Sequence, residues 1–75
     1  MSEKLPRLSS EQAIKIVEKL GFTLARQSGS HKIYKNSKGI RLTIPHHKGK
    51  ILHPKIIKSI MKDAEIDLPT LRQLL

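Results

Sequence analysis

Seventy-five residues carry fifteen Lys and Arg against six Asp and Glu, a net charge of +9, and no cysteine. A chain this short builds one thin core, burying only about 60% of its unfolded surface, and without thiols neither a disulfide framework nor a thiolate zinc site can staple it. No apolar run approaches the roughly 18 residues of a membrane span or the shorter core of a signal peptide, so residues 1–75 are expected to form a single cytoplasmic domain whose excess charge attracts polyanions.

Met1 to Leu8 mix charge with Pro6 and show no period, which marks a lead-in or an edge segment. Ser9-Ser10-Glu11-Gln12 has the Ser-x-x-Gln spacing of a capping box. Ala13, Ile14, Val17 and Leu20 then recur at helical steps, with Lys15, Glu18 and Lys19 largely on the other side, and Gly21 is suited to closing this first helix. From Phe22 the period becomes two: Phe22, Leu24 and Arg26 alternate with Thr23, Ala25 and Gln27 before the Ser28-Gly29-Ser30 turn. His31 to Lys35 forms a second strand. After the Asn36-Ser37-Lys38-Gly39 turn, Ile40, Leu42 and Ile44 share one face of a third strand with Arg41 and Thr43 on the other. Pro45 ends the strand because it cannot donate to a ladder, and His46-His47-Lys48-Gly49-Lys50 reads as a polar loop. Pro54 suits the first position of a second helix, in which Ile56, Ile57, Ile60, Met61 and Ala64 keep the period while Lys55, Lys58 and Lys62 line the opposite side. Asp67-Leu68-Pro69-Thr70 opens one short terminal helical turn. The order predicts an α+β fold, αβββα, with a three-stranded antiparallel sheet packed against two helices.

Between Glu18 and Asp63 there is no acidic residue, yet eleven Lys and Arg and all four His fall within that stretch. Soluble surfaces normally interleave both signs. A one-signed surface binds nucleic acid by releasing its counterions, so phosphate binding is the favoured reading over a merely solvated face. Phe22 and Tyr34 are the only aromatics, too few for a base-stacking platform. The αβββα order instead resembles double-stranded-RNA-binding domains, which read backbone shape.

Gly29-Ser30-His31 stands at the mouth of the second strand, where backbone can approach a phosphate and an imidazole can accept a proton from a ribose 2′-hydroxyl. The plainer alternative is that alternation with Ile33 turns His31 toward the helix-covered face as a structural residue. His46, His47 and His53 lie close together, but adjacent histidines on extended backbone point oppositely and no acid or thiolate completes a set, so no metal site is expected. His46 or His47 can supply a second acid-base group or a phosphate contact, and Lys48 and Lys50 are placed to hold backbone.

The run Leu20-Gly21-Phe22, Arg26, Gly29-Ser30-His31, Tyr34, then Ile44-Pro45-His46-His47 and Ser59-Ile60-Met61-Lys62-Asp63-Ala64 resembles the HicA (YcfA-like) mRNA interferase toxins of toxin-antitoxin modules, over nearly the whole chain. The resemblance implies a double-stranded-RNA-binding-like fold, cofactor-free and metal-independent cleavage of mRNA, and inhibition by a HicB-type antitoxin. It makes His31 the catalytic residue. Gly29, Ser30, Lys32, Arg26, His46, His47, Lys48 and Lys50 are the candidate RNA-binding set around it. The chain departs from the family's usual pattern where Lys55-Ile56-Ile57 replaces Gly-Thr-Leu and where Ala64-Glu65-Ile66 replaces Ala-Gly-Ile. Two other classes compete with the nuclease: a non-catalytic RNA-binding module with structural histidines, and a protein whose basic face mainly holds an acidic partner.

Overall fold

A computed structural model describes residues 5–75, so the first four residues of the expected lead-in lie outside the described residues. The elements are α1 (Ser10–Lys19), β1 (Thr23–Ser28), β2 (His31–Lys35), β3 (Arg41–Pro45), α2 (Pro54–Ala64) and α3 (Leu68–Gln73). This is the expected α+β order, and the terminal turn is a full short helix.

Each helix begins where its capping chemistry allows. The Ser9 hydroxyl accepts the Gln12 N–H at 3.1 Å while Gln12 Oε1 accepts the Ser9 N–H at 2.9 Å, completing the capping box of α1. In α2, His53 is the cap, its Nδ1 accepting the Lys55 N–H at 3.0 Å ahead of Pro54 at the first turn. Asp67 caps α3 through the Thr70 N–H and hydroxyl at 3.0 and 2.6 Å.

The buried stripe of α1 is Ala13, Ile16 and Val17, with Ile14 and Leu20 at its margins. Ile16 lies on the stripe three residues after Ala13, and Leu74 of the C-terminal segment lines a hollow beside it. Ile57 and Ile60 carry the buried face of α2, flanked by half-buried Ile56, Met61 and Ala64. Full burial of a side chain such as Val17, Ile57 or Ile60 contributes about 1.5–3 kcal/mol.

The strands form an antiparallel meander in the order β1-β2-β3. Tyr34, Leu42 and Ile44 fill one face of it, and both α1 and α2 pack there, over β3. The shortest dimension is 17 Å, enough for one sheet and one layer of helices roughly 10 Å apart. The other sheet face is therefore open. All of β1 is exposed, with Leu24 at 49%, because the helices pack over β3, at the opposite edge of the sheet. The segment before α1 is tied in by the Leu52 N–H donating to the Leu8 carbonyl at 2.7 Å, beside a Ser9–Ile51 bridge.

Candidate functional site

The site is built from the hairpin that joins β1 to β2. Gly29 has φ +58° as the first of the two turn residues, the position at which a type II′ hairpin calls for glycine. Nothing lies within 4 Å of where its Cβ would stand, so conformation and not crowding is the reason for glycine there. The turn delivers His31 at the start of β2 with its side chain exposed.

Which face His31 takes is decided by Tyr34. An aromatic ring has more apolar area to bury than an isoleucine, and Tyr34 is 2% exposed in the core. Strand alternation then puts His31, Ile33 and Lys35 together on the open face and Lys32 on the helix side. The alternative in which Ile33 carries His31 toward the helices is not what the structure has. Lys32 is half-buried between Gln27 and Ile44 in the ladder, so it does not share the face of His31.

Arg26 reaches that face through an irregularity. Strict alternation would put it beside Leu24. Instead the register runs Leu24↔Tyr34 and then Arg26↔Ile33, leaving Ala25 as an extra residue. A bulge of this kind re-aims the side chains beyond it, so Leu24 stays on the core side while Arg26 and Ser28 join Ile33 and His31.

Pro45 sits directly opposite His31. The His46 N–H donates to the Ser30 carbonyl at 2.6 Å, which makes the His31–Pro45 pair the close, non-hydrogen-bonded kind. Proline loses no ladder bond there. Its carbonyl turns to the outer edge of β3, where the Ser10 hydroxyl donates to it at 2.8 Å and itself accepts the His47 N–H at 3.4 Å. Ser10 is fully buried and fastens the start of α1 to the end of β3 and the histidine loop.

The loop histidines separate. The His46 ring stands 3.3 Å from the Glu11 carboxylate, an ion pair when the imidazole is protonated. A backbone hydrogen bond, then the bond to His46, and the nearby charge of Lys48 hold the Glu11 carboxyl below its usual range. His47, Lys48 and Lys50 are exposed, with the loop closed by the Lys50 N–H donating to the His47 carbonyl at 3.0 Å. His53 is occupied as the α2 cap. Among the described residues no three His, Asp or Glu side chains gather as metal ligands would.

The structure thus brings His31 and the Gly29-Ser30 turn to one end of the sheet, with the His47–Lys50 loop at the same end and Arg26 on the same face opposite Ile33. Ser10 and Glu11 were not legible as parts of this site, since their partners lie more than thirty residues away in sequence. An exposed imidazole and a guanidinium on the same face of a sheet without an acidic residue can hold a phosphodiester and exchange a proton with it. Tyr34 and Phe22 are both buried, so neither can stack a base from this surface; burial also pushes the Tyr34 hydroxyl up, helped by Glu18.

A family model described as the HicA toxin of bacterial toxin-antitoxin matches residues 10–66, from the first residue of α1 past the end of α2. No curated protein matches the chain.

Proposed function

Since the chain belongs to the HicA toxin family of bacterial toxin-antitoxin modules, we propose that it is a cytoplasmic endoribonuclease toxin that cleaves mRNA without a metal and is held in check by a HicB-type antitoxin. The observation that carries this reading is His31, exposed on the open face of an acid-free sheet with Arg26 turned onto the same face.

In the proposed reaction the neutral imidazole of His31 takes the proton of a ribose 2′-hydroxyl. The 2′-oxygen then attacks the adjacent phosphorus and the 5′-oxygen departs, leaving a 2′,3′-cyclic phosphate on one fragment and a 5′-hydroxyl on the other. The departing oxygen takes its proton from protonated His47 or from water, because His46 is turned to Glu11. Arg26, with its two-point guanidinium, binds the scissile phosphate as negative charge builds on its oxygens. Lys48 and Lys50 hold the neighbouring backbone, and the Gly29-Ser30 turn leaves room for it. Lys32, half-buried on the helix-covered face of the central strand, takes no part beside His31.

Incubating purified protein with RNA in EDTA tests the proposal. Fragments ending in cyclic phosphate are expected. Tight binding with no fragments would instead make this a non-catalytic RNA-binding module.

A further inference from the structure

Two basic surfaces are available to RNA, and they differ in what surrounds them. One is the outer side of α2, where Lys55, Lys58 and Lys62 are exposed. The other is the open sheet face, which carries Arg26, Lys35 and Arg41 with His31. Lys35 and Arg41 are direct cross-strand partners. The Asn36 N–H donates to the Ile40 carbonyl at 3.1 Å just beyond them, so theirs, like His31–Pro45, is the close non-hydrogen-bonded pairing. Like charges set directly opposite are destabilising, and no acidic residue lies in the sheet to relieve them. An anion between them removes the repulsion.

Along β2 the open face then reads Lys35, Ile33, His31: a paired cation at one end, a half-buried apolar residue in the middle, the imidazole at the other end. The strip is three strands wide, roughly 10 Å between outer strands at about 4.8 Å spacing, which is room for one nucleic-acid strand. The chemistry points the same way. Displacement at phosphorus runs with attacking and leaving oxygens in line, a geometry that a nucleotide stacked in an A-form duplex does not offer and an unstacked one does.

Resting on the reading that this chain binds and cleaves RNA, we infer that the open sheet face is a track for a single RNA strand, entering over the Lys35–Arg41 pair, crossing Ile33 and reaching His31 and Arg26. With no aromatic on the track, recognition is of the backbone, tolerant of sequence and steeply dependent on salt.

The test uses fluorescence anisotropy with a labelled 2′-O-methyl oligouridylate, which lacks the attacking hydroxyl, free or annealed to oligoadenylate. Two variants remove equal charge: K35Q/R41Q on the track and K58Q/K62Q on α2. The single strand should bind about tenfold or more tighter than the duplex. The track variant should lose about tenfold or more in affinity, with its salt slope falling by roughly 1.4 for two lost single-strand phosphate contacts. Its Tm should be no lower than the parent's, because a repulsive pair has been removed. The α2 variant should keep the parent slope. Tighter duplex binding, or equal losses from both variants, would overturn the track while leaving RNA binding intact. No binding of either probe at low salt would overturn the RNA reading itself.

Discussion

Glu65 is the one residue other than glycine with a positive φ among those described, at +58°. It closes α2 in the left-handed conformation, where the Ile66 N–H reaches back to the Met61 carbonyl at 3.0 Å. Helices favour glycine at this position. Replacing Glu65 with Gly should therefore stabilise the protein. Relief of the Cβ contact contributes about 1–2 kcal/mol, and the greater chain entropy of glycine takes back about 0.5–1 kcal/mol. Removing a carboxylate from the negative end of the helix dipole acts in the favourable direction. A net gain of about 0.5–1 kcal/mol corresponds to a rise in Tm of roughly 2–8 °C for a domain of this size. Thermal unfolding followed by circular dichroism reads this directly, with Glu65→Ala as the control that removes the charge but keeps the Cβ. If Glu65→Gly melts at or below the parent temperature, or if Glu65→Ala gains as much, backbone strain is not what Glu65 imposes.

Ser10→Ala should act in the opposite sense. It strips the buried hydroxyl from the Pro45 carbonyl and the His47 N–H, costing about 1–2 kcal/mol, and amide exchange at His47 should accelerate; an unchanged Tm with unchanged exchange would show that Ser10 does not tie α1 to the loop. The carboxyl of Asp67 is held below its usual range by its bonds to the Thr70 side chain and N–H, and that of Glu11 by a backbone bond and His46. A depressed folded-state pKa contributes stability above the unfolded value and loses it as pH falls through the folded one. The deficits of Asp67→Ala and Glu11→Gln relative to the parent should accordingly be full at neutral pH and shrink as pH drops below the ordinary carboxylate range. Deficits that persist unchanged in acid would assign the effect to packing.

Much of the fold was legible because each signal is local. The Ser9–Gln12 capping box, Pro54 at a helix start and the alternation of Leu42 and Ile44 with Arg41 and Thr43 all reappear in the structure. The family match over residues 10–66 bears out the resemblance carried by the Gly-Ser-His and Pro-His-His runs. The features that escaped were set by partners distant in sequence. The bulge at Ala25 has no local signature: it reconciles Leu24 on the helix side with Arg26 on the open side, a demand made by the neighbouring strand. The face of His31 is fixed by Tyr34 winning the core over Ile33, a competition that alternation alone does not decide. Ile16, three residues after Ala13 and four before Leu20, also lies on the buried stripe of α1, with Leu74 of the C-terminal segment lining the hollow beside it. Of the candidate RNA-binding residues, Arg26 shares the face of His31, Lys32 faces the helices, and His46 is paired with Glu11.

In the proposed metal-free cleavage of RNA, His31 moves the proton. The most direct measurement of that role is the single-turnover rate, in EDTA, of the parent and His31→Ala on one labelled RNA, with Tm and RNA affinity measured alongside. His31 is exposed, so the variant should melt and bind like the parent while its cleavage rate falls by about 10²–10⁴-fold, the usual worth of a positioned acid-base group. Cleavage by the folded variant at the parent's rate would contradict the role of His31.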